Sequence, residues 1–127
     1  MTPEQTDWVA ARLEPISEDA RRALPADLSM DYVDWLVRTG WGDLDGAFMF
    51  YSGPVHPEDV FGDNAPSGRF VLIGDDLAGY VIGLDLERGG AVEFDPGGEE
   101  VSRWASFAAF VSERVGALFA ARSTEVA

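Results

Sequence analysis

The chain has 127 residues, of which 46% are hydrophobic and 12% aromatic, enough to pack one globular domain spanning 1–127. Its 9 basic residues are outnumbered by 23 acidic ones, giving a net charge of −14. There is no cysteine, every basic residue is an arginine, and His56 is the single histidine. That composition excludes disulfides, thiolate metal sites, a P-loop lysine, Schiff-base chemistry and a histidine cluster for zinc, and it lacks the basic footprint of a nucleic-acid binder.

Thr2-Pro3-Glu4-Gln5 places a cap, a proline at the first helical position and an acid in the first turn, so a helix is expected from Pro3, broken at Pro15. Ser17-Glu18-Asp19 opens a second short helix that ends at Leu24-Pro25. Ser29 caps a third, with Tyr32, Trp35 and Leu36 on one face and Gly40 as its stop.

After Gly42 the pattern changes to short β-branched and aromatic runs separated by Gly and Pro. The expected strands are Ala47–Tyr51, Phe70–Ile73, Tyr80–Leu86 and Ala91–Phe94. The links 74–79 and 87–90 are too short for helical crossovers, so neighbouring strands must be antiparallel. Pro96-Gly97-Gly98 is expected to end the sheet. A last helix over 106–120, capped by Ser106, carries an apolar stripe of Phe107, Ala108, Val111, Val115, Leu118 and Phe119, with Phe110 at its edge; the final residues are expected to fray. The expected architecture is α+β: N-terminal helices, an antiparallel sheet of about four to six strands within 46–95, and a C-terminal helix on one sheet face. Trp35, Leu36, Val71, Ile73, Phe107, Val111 and Leu118 are the expected core.

The acidity is concentrated. Residues 43–100 hold 13 acids against Arg69 and Arg88, a net −11, whereas residues 101–127 are net +1. Such a block keeps a protein soluble, and it also attracts and steers a basic partner. The acid-x-acid pairs Asp43/Asp45, Asp85/Glu87 and Glu93/Asp95 fit a solvated acidic sheet edge, and equally a set of carboxylates presented to an Arg/Lys-rich partner. Asp75-Asp76 lies in a turn, where aspartate bonds local backbone amides; no EF-hand spacing surrounds it. His56 sits in a loop without a nucleophile motif, and no serine lies in a Gly-x-Ser-x-Gly elbow. No catalytic residue, metal or cofactor is expected. Trp8, Trp35, Trp41 and Trp104 read as core anchors, with Trp41, between Gly40 and Gly42, retained as an interface candidate. No apolar run reaches the ~20 residues of a membrane span, and Met1–Leu13 carries Glu4, Asp7 and Arg12 in place of an apolar leader. A cytoplasmic, membrane-free location is expected.

The order Leu24-Pro25, Tyr32-x-x-Trp35-Leu36, Gly40-Trp41-Gly42, Tyr51-Ser52-Gly53-Pro54 and Pro57-Glu58-Asp59-Val60 resembles the SUKH superfamily, the Smi/Knr-like domain. So do Phe70-Val71-Leu72-Ile73-Gly74-Asp75-Asp76, Gly79-Tyr80, Gly83-Leu84-Asp85, Ser106-Phe107 and Phe110-Val111. The resemblance covers roughly residues 15–120. One departure is the spacer between Leu24-Pro25 and Tyr32, where many relatives run straight into the helix. The resemblance implies a non-catalytic binding domain. Bacterial members are typically immunity proteins that neutralise a cognate polymorphic toxin, often a nuclease, whereas fungal members are regulators linked to cell-wall synthesis. The expected partner is therefore a toxin domain or another protein of basic character. A housekeeping regulatory or scaffold domain is the alternative. The best contact candidates are Trp41, Asp43, Asp45, Glu58, Asp59, Asp75 and Asp76.

Overall fold

A computed structural model of the chain describes residues 1–126, with side chains to Arg122. Helix α1 (Pro3–Ala10) opens with a capping box: Gln5 N–H donates to Thr2 Oγ1, and Thr2 N–H to Gln5 Oε1. Helix α2 (Glu18–Arg22) is capped by Ser17, as expected. Helix α3 (Met30–Arg38) starts after Ser29, whose hydroxyl makes no cap bond. Gly40 ends it at φ +109, where a Cβ would lie 1.8 Å from the Glu14 carbonyl oxygen. Only glycine lets the segment after α1 cross this closely, and Glu14 and Trp41 exchange both backbone hydrogen bonds there, each at 2.9 Å.

Six strands then follow as an antiparallel meander in sequence order: β1 (Gly42–Leu44), β2 (Phe48–Val55), β3 (Phe70–Asp75), β4 (Val81–Asp85), β5 (Ala91–Phe94) and β6 (Glu100–Trp104). Helix α4 (Glu58–Phe61) and a 3-10 turn (Gly62–Asn64) interrupt the β2–β3 connection, which the sequence reading treats as plain loop. Helix α5 (Phe107–Val126) follows β6 and packs against α1 and α3. The expected fraying concerns residues whose side chains lie outside the described part.

The α+β architecture agrees with the sequence reading, but its sheet is wider than 46–95. Asp45 (φ +60) and Gly46 (φ +71) form a tight hairpin turn that adds β1 ahead of β2. Pro96-Gly97-Gly98 turns the sheet instead of ending it: Asp95 Oδ1 accepts the N–H groups of Gly97 and Glu99, and β6 returns along β5. No apolar alternation marks β6 in the sequence, because an exposed edge strand needs none and its residues are mostly solvent-facing.

The main core lies between one sheet face and the helices. Phe48, Phe50, Ile73, Ile82 and Leu84 from the sheet meet Tyr32, Trp35 and Leu36 of α3 and Phe107, Phe110, Val111 and Val115 of α5. Phe110 is fully buried, 5.0 Å from the Trp104 ring and 5.7 Å from Phe48, so it stands at the centre of the stripe and not at its edge. Ala108 is exposed, and Leu118 only half-buried. The second sheet face carries a smaller cluster, Leu72, Val81, Val92 and Phe94, covered by Phe61 of α4 and by Phe70.

Candidate functional site at the acidic hairpin end

A six-stranded meander places alternate turns at the same end of the sheet. The registers Leu44↔Phe48, Met49↔Asp75, Asp75↔Val81, Val81↔Phe94 and Phe94↔Glu100 bring the β1–β2, β3–β4 and β5–β6 turns together. Asp43, Asp45, Asp75, Asp76, Asp95, Glu99 and Glu100 are gathered there, and the turn segments themselves contain no arginine. Two arginines reach the edges of this group. Arg12 lies 3.6 Å from Asp45, and Arg103 Nη2 donates to Glu100 at 2.7 Å.

The turns are braced by their own carboxylates. Asp43 accepts the Gly46 N–H, Asp75 accepts the Leu77 N–H, and Asp76 accepts those of Ala78 and Tyr80. The local turn role expected of Asp75-Asp76 is therefore what the structure shows. The second oxygen of Asp75 accepts the Tyr51 hydroxyl at 2.7 Å. Burial, this bond and the aspartate charge together push the Tyr51 phenol well above its ordinary range.

At the tip of the β3–β4 turn, Leu77 is 51% exposed at φ +63, and Tyr80 is 39% exposed beside it. A leucine in the left-handed region is costly and gains little by facing water. Both residues escaped the sequence reading of the site. The available signal was a large apolar side chain lodged between Asp-Asp and Gly in a turn.

The other candidates lie elsewhere. Trp41, 37% exposed, precedes β1 on the side away from the turns. Glu58 and Asp59 open α4, in the connection that leaves β2 at the opposite end. Asp85 and Glu93 do not belong to a solvated acidic edge. Glu93 pairs with Arg114 at 3.3 Å, and Asp85 is 5% exposed, with Arg103 Nη1 at 3.1 Å and the Glu87 and Arg88 N–H groups on its Oδ1. Burial alone would raise the Asp85 carboxyl, but those backbone donors and Arg103 outweigh it and hold the group below its ordinary value.

A cleft of about 320 Å³ near the start of α3 and of α5 is lined by Asp27, Asp31 and Asp85. Each is already committed: Asp27 to Arg69, Asp31 to the Tyr32 and Ala108 N–H groups, and Asp85 as above. His56 is exposed. Among the described residues, no group of three or more His, Asp or Glu side chains is placed to hold a metal ion, and no helix is long and apolar enough to cross a membrane. No family model, curated protein or solved structure matches the chain.

Proposed function

We propose that the chain is a non-catalytic binding domain that holds a basic protein partner against the acidic hairpin end of its sheet. The observation that carries this reading is the convergence of seven carboxylates on one end, around an exposed Leu77 and Tyr80. An apolar centre with a charged rim is the usual anatomy of a protein-docking surface, and a strong local field accelerates encounter with an oppositely charged partner. The resemblance to SUKH domains specifies the partner further, as a toxin domain that the chain neutralises in the cytoplasm. A nuclease toxin must be basic to hold phosphates, so an acidic binder competes for that surface. Absence of cysteine agrees with a reducing compartment. Gene deletion tests the toxin reading: loss of viability, reversed by also deleting a neighbouring toxin gene, is expected. Unimpaired growth after the single deletion refutes it and leaves the regulatory alternative.

A further inference from the structure

Resting on the reading of this chain as a binder of basic proteins, we infer a second contact on it: a groove between α2 and β2 that takes an extended partner segment carrying a Lys or Arg two positions from an aliphatic residue, so that both side chains face the groove. β1 accompanies β2 only as far as Phe50, so beyond that point β2 has no strand beside it on this flank. Two cavities follow the gap, of about 540 and 370 Å³, and they share Ala20 and Ser52 as lining residues.

The first cavity has the chemistry of a cation subsite. Glu14 and Trp41 both line it, and their backbone bridge sets them directly opposite one another, which places the two side chains side by side. Glu14 has no ion-pair partner among the described residues, and the Trp41 ring is partly exposed. A carboxylate beside an accessible indole face suits a guanidinium or ammonium group. The nearby cations do not compete, because Arg21 and Arg22 are engaged within α2 by Glu18 and Asp19. The second cavity is apolar, walled by Ala23, Leu24, Pro25, Val55 and Val71, and it suits an aliphatic side chain.

The groove reads side chains rather than adding a strand. Pro54 lacks an N–H, and the β2–β3 register shifts between Phe50 and Val55, both of which spoil a ladder for an incoming backbone. From Trp41, level with the start of this stretch, to His56 at its far end the distance suits roughly five extended residues at ~3.3 Å each.

The test is an NMR titration of the intact ¹⁵N-labelled chain with the capped peptide Gly-Arg-Ser-Leu-Ser-Gly and its Leu→Gly counterpart. The expected result is shifts at the Trp41 indole and at Ala20, Ser52 and Gly53, with affinity at least ~10-fold lower for the Gly peptide. Gly53→Leu fills the groove and should abolish those shifts. A Cβ there meets only the Leu24 side chain, at 4.0 Å, so the fold and melting temperature should survive. Shifts confined to residues 43–46 and 75–80, equal for both peptides, overturn the groove and leave the acidic-end reading standing. Groove shifts unaffected by Gly53→Leu also overturn it. Absence of shifts anywhere also overturns the groove, and the acidic-end reading then stands or falls on the salt dependence of association with a basic protein.

Discussion

Asp85 offers the sharpest stability test, because the acid-x-acid pattern and the structure assign it opposite roles. If Asp85 were a solvated surface acid, replacing it would change stability by no more than about 0.5 kcal/mol. In the structure its Oδ1 accepts two backbone N–H groups, at 3.0 and 2.9 Å, and its Oδ2 faces Arg103 at 3.1 Å. Hydrogen bonds to a charged acceptor contribute roughly 1.5–3 kcal/mol each, but the turn amides of Glu87 and Arg88 regain water when the carboxylate is removed. Arg103 keeps Glu100, so no guanidinium is stranded. The expected cost of Asp85→Ala is therefore about 3 kcal/mol. Asp85→Asn retains the amide acceptor and loses the charge, for about 1 kcal/mol. Urea denaturation at neutral pH measures both. The carboxyl is held below its ordinary value in the fold, so its contribution is complete above the unfolded-state value and is lost as pH falls through the folded one. The gap between the wild-type chain and Asp85→Asn should close on acidification below the ordinary carboxylate range. An Asp85→Ala chain as stable as wild type, or a gap that widens in acid, would refute the reasoning.

Phe110→Ala should cost about 3–5 kcal/mol, while Ala108→Ser, on the exposed face of the same helix, should stay within about 0.5 kcal/mol; equal thermal denaturation curves for the two would displace Phe110 from the core. Leu77→Gly relieves a left-handed backbone at φ +63 and removes little buried surface, so it should leave stability unchanged or raise it by up to ~1 kcal/mol; a loss above that would show that Leu77 packs in the free protein.

Elements with strong local signals were legible in the sequence. Phe70–Ile73 reads as a strand because both of its faces are covered, one by the helices and the other by the β2–β3 connection. Asp45-Gly46 is a local hairpin signal for β1, which the spacing of the acids alone does not convey. β6 gave none, since an edge strand at the surface is free to be polar. The acids divide for a related reason. Asp75 and Asp85 look alike in a short window, but Arg103 reaches Asp85 from β6, two strands away, and no local pattern announces that meeting. The grouping of Asp43, Asp45, Asp75 and Asp76 follows from the β1–β2 and β2–β3 registers; the long connection from Val55 to Phe70 gives no local sign of it. Charge and family order alone put Trp41, Glu58 and Asp59 on the same face, whereas the strand order and register place them away from it.

The central claim is that the carboxylates of the hairpin end draw in a basic protein. Stopped-flow association with the proposed partner, a basic toxin domain, from low to high salt, tests it most directly. The comparison is with the quadruple variant Asp43→Asn, Asp45→Asn, Asp75→Asn, Asp76→Asn, which keeps an oxygen acceptor for every turn amide and removes the charge; at Asp75 the new NH2 meets the Tyr51 hydroxyl, whose oxygen can accept it, and at Asp45 the ion pair with Arg12 is lost. The account predicts an association rate that falls steeply with salt in the wild-type chain, and a slower, flatter response in a variant that melts within a few degrees of it. A rate independent of salt and unchanged in the variant would contradict it.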